Sequence, residues 1–288
     1  MVCSSLIEDN LFICYYNCKI FYKIKQRIGE NMKTNYHTHN YRCNHAVGTI
    51  DDYIEEAIKE GYDEIGISDH LPHPGKDIDN ENRMSYEDLK VYFKEIDEAK
   101  EKYGDKISIK KAIECEYFED YHWLYDEFKE KYKVDYLILG AHFFHCNGEW
   151  LYVGAVKLNP DLLEIYIDYV IKSMESGYFD CLAHPDLFGV RYRDWDEYAI
   201  KASKRILEAA ERLSMPIEVN INGFKRGKVK YNLGERNFYP IEEFWSLSKE
   251  YNVKRILGVD AHFPEDLRNR YIGEEFAEKL NLELIDKL

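Results

Sequence analysis

The stretch TNYHTHNYRCNHAVGTIDDYIEEAIKEGYDEIGISDH, residues 34–70, contains the first complete structural unit of the chain. Its two ends, residues 34–39 and 64–70, have the length and the Tyr and Ile content of strands. Between them, Thr49 is a typical N-cap, two aspartates follow it, and Gly61 is a typical helix stop. The order strand, helix, strand predicts two parallel strands joined by a right-handed crossover.

The same alternation continues along the rest of the chain. Strand-length apolar runs occur at 34–39, 64–70, 107–118, 136–144, 181–188, 216–222 and 255–262. Amphipathic segments after them predict helices at 49–61, 85–104, 120–132, 160–176, 194–213, 240–251 and 273–284. Seven such units in 288 residues fit a closed barrel better than an open sheet. We therefore predict an α/β fold, a distorted (β/α)7 TIM-like barrel.

Polar residues of metal-binding type occur at or near the carboxyl end of each predicted strand. They are His39, His70, Glu114 or Glu116, His142, His184, Asn220, Asp260 and His262. Active sites of β/α barrels are built at that rim, and core packing gives no reason for seven separate strands to place polar residues there. The sequence therefore predicts an active site at the C-terminal rim of the strands.

Two pairs of residues have the spacing of neighbours on one face of a strand. His37 and His39 belong to the first predicted strand, and Asp260 and His262 belong to the last. Alternate residues of a strand face the same way, so each pair can converge on one ion. Because the first and last strands are neighbours in a closed barrel, we expect the two pairs to meet.

Four other histidines are candidate ligands. His70, His142 and His184 each follow an apolar run, and His45 lies in the loop after the first strand. Any one of them alone has the ordinary interpretation of a hydrogen-bonded or solvated histidine. Together at one rim, beside carboxylates, they indicate a multinuclear metal site.

A glutamate of the third strand is a candidate bridge between two ions. Glu114 and Glu116 share one face of that strand, and a carboxylate that bridges two ions is common in dinuclear centres. The spacing alone does not choose between the two residues, and a glutamate at a strand end is equally able to be solvated.

Composition and charge exclude several classes of protein. The net charge is −15, whereas proteins that bind phosphate backbones normally carry a basic excess. The seven cysteines have no disulfide-framework spacing, which indicates a reducing compartment. No apolar run approaches the roughly 20 residues of a membrane-spanning helix, and the N-terminus has no signal-peptide pattern. We expect a cytoplasmic protein that binds a small molecule and neither nucleic acid nor membranes.

Five motifs together resemble the PHP (polymerase and histidinol phosphatase) superfamily. Residues 36–72 are similar to the opening of its monofunctional histidinol-phosphatases, and YLILGAHFF, LAHPDLF, EVNINGF and LGVDAH follow in the family's order. The resemblance extends from about residue 35 to beyond residue 262. It implies the PHP barrel fold and three divalent metal ions, commonly zinc, iron or manganese.

The resemblance also implies which residues hold the ions. Carried over position by position, the three sets are His37, His39, Glu114 and Asp260; His45, His70 and His262; and Glu114, His142 and His184. Glu114 is favoured over Glu116 because the family's glutamate directly follows an aliphatic residue at the strand end.

The reaction that the resemblance implies is hydrolysis of L-histidinol phosphate to L-histidinol and phosphate in histidine biosynthesis. Phosphate monoesters react so slowly that enzymes supply accelerations of up to about 10²¹, and clustered divalent ions provide both a nucleophile and charge neutralisation. The sequence contains no C-x5-R loop, G-x-S-x-G elbow or G-x-x-x-x-G-K loop as an alternative. We expect in-line attack by a metal-bridging hydroxide; the sequence does not identify the acid that protonates the leaving group.

Two arginines are candidate phosphate ligands. Arg191 and Arg226 each lie in a loop after a rim strand, and a guanidinium group matches a phosphate in a bidentate way. The alternative for either is a solvated surface arginine. Where the family often has Gly-Leu-Arg, this chain has Gly223, Phe224, Lys225 and Arg226, so the basic residue is less closely matched there.

Three other roles are alternatives to the histidinol-phosphatase prediction. A PHP phosphodiesterase or exonuclease is disfavoured by the acidic balance of the chain. A PHP protein-tyrosine phosphatase is a second enzyme class. A non-enzymatic module with purely structural metals is disfavoured because all nine ligand types are present.

Residues 1–31 precede the first motif. Members of the family typically begin only a few residues before it, and Met32 follows a peptide, IGEN, whose codons can contain a purine-rich ribosome-binding sequence. We expect residues 1–31 to be an extension that is not translated natively, and residues 32–288 to form the PHP barrel domain. The intact mass of the protein from its native cell checks this expectation; peptides containing Cys14 or Cys18 would contradict it.

Overall fold

The structure, a computed structural model, describes residues 32–288, so the expectation for residues 1–31 lies outside the described residues. The strands of the described part are, in chain order, β1 (Thr34–Asn35), β2 (Glu64–Ile67), β3 (Ser108–Cys115), β4 (Tyr136–Leu139), β5 (Phe143–Cys146), β6 (Glu149–Tyr152), β7 (Cys181–Leu182), β8 (Ile217–Asn220), β9 (Lys228–Tyr231), β10 (Gly234–Asn237) and β11 (Arg255–Gly258).

Seven of these strands form one parallel sheet. Their order is β1, β2, β3, β4, β7, β8 and β11, and each neighbouring pair is parallel. Just beyond β1 and β11, Thr38 and Ala261 form a parallel bridge, and the His39 backbone N–H donates to the Ala261 carbonyl at 2.9 Å. The first and last strands therefore meet, and the predicted seven-stranded α/β barrel is confirmed as a nearly closed one.

Helices cover the outside of the barrel. They are α1 (Ile50–Lys59), α2 (Leu89–Tyr103), α3 (His122–Glu130), α4 (Pro160–Glu175), α5 (Glu197–Leu213), α6 (Glu242–Leu247) and α7 (Arg270–Leu280). The predicted start of α1 is confirmed, because Thr49 and Asp52 form a capping box. Of the described helices, none combines the length and the apolar character needed to cross a membrane.

The core lies between the strands and the helices, and it is rich in aromatic side chains. Tyr53, Tyr92, Phe93, Phe128 and Trp245 are fully buried. Strands β2, β4, β8 and β11 are buried at every position, as expected for a parallel sheet with both faces covered. Two antiparallel hairpins, β5–β6 and β9–β10, extend from the rim and were not predicted from the sequence.

Candidate metal centre

The nine sequence-predicted metal ligands lie together at the carboxyl end of the barrel strands. They are His37, His39, His45, His70, Glu114, His142, His184, Asp260 and His262. Seven of them line a cavity of about 270 Å³. The other two, His37 and His39, are completely buried and contact the cavity-lining carboxylates. The alternation of strand and helix brings residues from the whole length of the described chain to one rim.

Glu114 is at the centre of this cluster. Its Oε2 atom lies 2.9 Å from His70 Nδ1, 3.3 Å from His37 Nε2 and 3.6 Å from His39 Nε2. The glutamate occupies the penultimate position of β3, with its side chain 1% exposed. One carboxylate oxygen therefore faces three imidazoles from the first and second strands.

The other oxygen of Glu114 faces a second set of histidines. Glu114 Oε1 lies 3.1 Å from His184 Nε2 and 3.3 Å from His142 Nε2. Glu116 contacts the opposite ring nitrogen of His142, with its Oε1 atom 2.7 Å from His142 Nδ1. The structure thus places Glu114 between the two groups of imidazoles and Glu116 in contact with the outer nitrogen of one of them.

Asp260 supplies a second buried carboxylate. Its Oδ1 atom lies 3.1 Å from His39 Nε2 and 3.7 Å from His37 Nε2. Asp260 also has a backbone φ of 53°, an uncommon conformation for a residue other than glycine. The predicted meeting of the first-strand histidines with the end of the last strand is therefore seen in the contacts of Asp260.

His45 and His262 face each other at the mouth of the cavity. Their Nε2 atoms are 3.1 Å apart, while His45 Nδ1 lies 2.8 Å from the Cys43 carbonyl and His262 Nδ1 lies 3.1 Å from the Asp260 carbonyl. A carbonyl accepts a hydrogen bond, so each neutral ring carries its proton on Nδ1. The two Nε2 lone pairs then point at each other, an arrangement that a cation between them stabilises.

Two further carboxylates orient the innermost histidines. Glu218 Oε1 lies 2.8 Å from His37 Nδ1, and Asp69 Oδ1 lies 3.3 Å from His39 Nδ1. Histidines that bind metals usually donate their second ring N–H to such an acceptor, which fixes the tautomer and the ring orientation. Sequence reasoning missed Glu218, although it lies two residues before Asn220 on one strand, and this alternation was the available signal.

Several buried polar atoms at this point face one another at short distances but lack a well-aligned hydrogen bond in the described part of the chain. They are His37 Nε2, His39 Nε2, His70 Nδ1 and Glu114 Oε2. An unsatisfied buried polar group costs about 1–3 kcal/mol, so four of them at one place favour an additional group there. Imidazole nitrogens and carboxylate oxygens are the ligands of zinc and similar ions. His37, His39 and Asp260 offer three ligand atoms within 4.8 Å of one another. The cluster therefore fits divalent metal ions.

The charges of the cluster shift the pKa values of its histidines in opposite directions. Burial lowers the pKa of His39, but the adjacent carboxylates outweigh burial and raise the pKa to about 9, with Asp260 contributing most. Burial also opposes the charged form of His37, yet nearby carboxylates hold its pKa well above the usual range. Glu218 contributes most to this rise. Burial lowers the pKa of His262 to about 4. Without metal at pH 7, His37 and His39 are therefore protonated and His262 is neutral.

Metal binding is accordingly expected to release the protons of His37 and His39 at pH 7, because a ligating imidazole must be neutral. The released number should fall as the pH rises through about 9, since His39 is then already deprotonated. Titration calorimetry of zinc into chelator-treated protein, in buffers with different ionisation enthalpies, measures this release. Identical heats in all buffers at pH 7 would contradict the assigned protonation states.

Comparison with known proteins places this chain in a family. Residues 35–222 match the PHP domain, which is more than half of the chain. The chain belongs to the PHP domain family. The family assignment confirms the resemblance predicted from the five sequence motifs.

Similar proteins cover most of this PHP chain. A probable histidinol-phosphatase of Deinococcus radiodurans is 27% identical over 250 residues, which are 82% of this chain and 88% of that protein. A probable histidinol-phosphatase of Schizosaccharomyces pombe is 24% identical over 271 residues, 85% of this chain and 86% of that protein. The crystal structure of histidinol phosphate phosphatase from Lactococcus lactis, complexed with zinc, L-histidinol and phosphate, has a TM-score of 0.67 and 17% identity, over 88% of this chain and 95% of that one. This likeness supports the PHP barrel fold.

The two predicted phosphate-binding arginines of this PHP domain have different positions. Arg226 lines the metal cavity, with its guanidinium carbon 5.9 Å from the centre of the Tyr239 ring. Arg191 Nε donates to the Gly154 carbonyl at 2.5 Å, and the Arg191 side chain lines a neighbouring cavity. Arg191 is therefore a sequence-predicted site residue that the structure places at a neighbouring cavity and not at the metal cavity.

A third arginine at the PHP cavity was missed by sequence reasoning. Arg83 lines the cavity, its side chain is 4% exposed, and its Nη2 donates to Glu116 Oε1 at 2.7 Å. Glu116 also contacts His73 Nε2 at 2.9 Å. Arg83 lies in the long connection between β2 and α2, where no periodic pattern marks an inward-facing residue.

Proposed function

We propose that this PHP chain is a metal-dependent phosphomonoesterase that hydrolyses L-histidinol phosphate to L-histidinol and phosphate. The observation that carries the proposal is the convergence of five histidine nitrogens on the buried Glu114 carboxylate, beside a cavity that Arg226 also lines. The names of the similar proteins from Deinococcus radiodurans and Schizosaccharomyces pombe support the choice of substrate.

We further propose three divalent ions, zinc, iron or manganese, held by three groups of residues, two of which share Glu114. The groups are His37, His39, Glu114 and Asp260; His45, His70 and His262; and Glu114, His142 and His184. The contacts of Glu114 Oε2 with His37 and His39, those of Glu114 Oε1 with His142 and His184, and the facing nitrogens of His45 and His262 support this division.

The protein residues supply position and charge for the reaction. When bound, divalent ions neutralise phosphoryl charge and lower the pKa of a coordinated water toward 7. Arg226 would hold phosphoryl oxygens at the cavity wall by charge-assisted hydrogen bonds. Glu218, Asp69 and Glu116 fix the orientation of His37, His39 and His142, so that the ligand geometry is set before the substrate arrives.

The proposal is tested by phosphate release from histidinol phosphate beside other monoesters, phosphotyrosine and a phosphodiester. The purified, metal-loaded chain should give its highest kcat/KM with histidinol phosphate. A higher value with the diester or with phosphotyrosine would overturn the proposal in favour of one of the alternative PHP activities. Metal analysis that finds well under two ions per chain, with activity intact in chelator, would overturn the multinuclear site.

Arg226→Gln is expected to lower kcat/KM for a phosphomonoester by roughly 10- to 100-fold, in part through a higher KM. The reason is that a hydrogen bond to a charged group contributes about 1.5–3 kcal/mol. Arg191→Gln tests the other predicted arginine under the same conditions, and we expect the smaller effect there. Arg193→Gln, an exposed residue of the neighbouring cavity, is the matched control. A larger loss for Arg191→Gln than for Arg226→Gln would reverse the assignment.

A cytoplasmic location is part of the proposal. The four cysteines of the described residues, Cys43, Cys115, Cys146 and Cys181, are free thiols, as is usual in a reducing compartment. The net charge of −15 likewise supports a small-molecule substrate rather than nucleic acid.

A further inference from the structure

One wall of the metal cavity is formed by residues other than the candidate ligands. The connection between β2 and α2 contributes Asp79, Asn82 and Arg83 to the lining. Because this wall belongs to the same cavity as the cluster, a substrate whose phosphate lies at the metals has its alcohol portion within reach of the connection. The wall can therefore contact the alcohol portion of the substrate, which is the part that differs between phosphomonoesters.

The connection is fixed in place by contacts at both of its ends. The Lys76 ammonium group lies 4.9 Å from the centre of the Phe118 ring and donates to Asp120 Oδ2 at 2.6 Å. At the other end, Asn44 Nδ2 donates to the Arg83 carbonyl at 3.1 Å. A wall held in this way needs little ordering when a ligand binds, which favours selective recognition.

The charges on the wall do not cancel. Arg83 Nη2 donates to Glu116 Oε1 at 2.7 Å, and Arg83 Nη1 lies 3.3 Å from Asp79 Oδ2. One guanidinium therefore lies between two carboxylates, which leaves one negative charge. Glu116 is buried and also contacts two histidines, whereas the Asp79 side chain is 24% exposed and lines the cavity. Of the two carboxylates that share Arg83, Asp79 is therefore the one that faces the cavity, with its Oδ1 atom also accepting from Asn82 Nδ2.

Asp79 differs from the other acidic residues of the cavity. Among the described lining residues, the remaining carboxylates are Glu114 and Asp260, and both are surrounded by histidines. Arg226 follows β8, which is separated from β2 on the sheet by β3, β4 and β7 in one direction and by β11 and β1 in the other. The cavity thus has Arg226 on one side and, across the barrel, a wall that presents the Asp79 carboxylate, which shares the Arg83 guanidinium with Glu116.

We propose that Asp79 is a specificity-determining residue that binds a cationic group, a primary ammonium, on the alcohol portion of the substrate. The site then selects phosphate monoesters of amino alcohols over neutral monoesters of the same size. For histidinol phosphate in particular, this inference rests on the proposed function.

The experiment compares two substrates that differ only in the ammonium group: histidinol phosphate and the same imidazolyl-propyl phosphate without the amine. The parent chain should favour the amine-bearing substrate in kcat/KM by about 10- to 100-fold. Asp79→Asn should bring this ratio close to one, since the amide removes the charge and keeps an acceptor for the Asn82 side chain. Asp77→Asn, an exposed residue of the same connection that does not line the cavity, should keep the parent's ratio.

Each other outcome has a definite meaning. An unchanged ratio in Asp79→Asn, or equal kcat/KM for both substrates in the parent chain, overturns the inference and leaves the proposed function standing. An equal loss with both substrates and a lower metal content in Asp79→Asn assigns it a structural role instead. If the parent hydrolyses neither imidazole substrate, the proposed function fails, and 2-aminoethyl phosphate against propyl phosphate tests the ammonium preference by the same ratio.

Discussion

Glu114→Gln is expected to lower kcat by about three to four orders of magnitude and to reduce the metal content of the purified chain. The Glu114 carboxylate contacts five histidines, and glutamine keeps its size while removing its charge. Metal ions contribute several kcal/mol of charge stabilisation in such reactions, and each 1.36 kcal/mol corresponds to about tenfold in rate. Steady-state kinetics and elemental analysis of the variant measure both effects.

The matched control for this change is Glu101→Gln, an exposed glutamate of α2. It should keep the parent's kcat and metal content. Circular dichroism spectra that superimpose on the parent's would attribute the loss in Glu114→Gln to the site rather than to unfolding. A Glu114→Gln variant with full metal content and a kcat within tenfold of the parent would contradict the central role of this carboxylate.

Residue spacing alone could not predict whether Glu114 or Glu116 is the carboxylate at the centre of the histidine cluster. Alternation along a strand places both carboxylates on one face, so it cannot tell which meets the histidines of other strands. In the structure Glu114 faces imidazoles from both sides, and Glu116 meets Arg83 and His142. The distinction depends on contacts between strands, and family resemblance supplied it where local pattern could not.

The barrel itself could be predicted because its signal is repeated. Each buried parallel strand is a short apolar run, and each helix has an apolar stripe and a recognisable end, such as the Thr49 cap. The hairpin strands β5 and β9 were missed for the opposite reason. Strand β5 continues an apolar run that also holds β4, and β9 alternates charged and apolar residues within a short polar loop. Only tertiary contacts separate them from their surroundings.

The candidate ligands could be predicted because a barrel collects the ends of all its strands at one rim. The supporting groups could not, since their roles depend on how loops fold. Arg191 follows a rim strand as Arg226 does, yet the helical turn Leu187–Val190 directs it to a neighbouring cavity. Arg83 and Asp79 lie far from any strand end and reach the cavity only because their connection folds back over it.

Gly140→Ala should cause the second largest loss of kcat, after Glu114→Gln, although the change adds only a methyl group. A Cβ atom at this position would lie 2.4 Å from Glu114 Oε1 and 2.6 Å from His142 Cε1. Neither neighbour can move without loss, because Glu114 is buried among imidazoles and Glu116 holds His142 Nδ1 at 2.7 Å. We expect kcat to fall by about 100-fold, the upper end of the loss that is typical when the surroundings of a metal ligand are disturbed. The overpacking should cost about 1–3 kcal/mol of stability.

The control Gly61→Ala separates these two effects. Gly61 has a φ of +74°, and a Cβ there would meet no atom within 4 Å, so alanine adds backbone strain far from the site without a clash. Both variants should lower Tm by a few degrees, but only Gly140→Ala should lose kcat and metal content. A Gly140→Ala chain with the parent's kcat and metal content would mean that Glu114 and His142 need not approach each other. Loss confined to Gly140→Ala would instead tie activity to that approach, because the added methyl group removes no ligand and changes no charge.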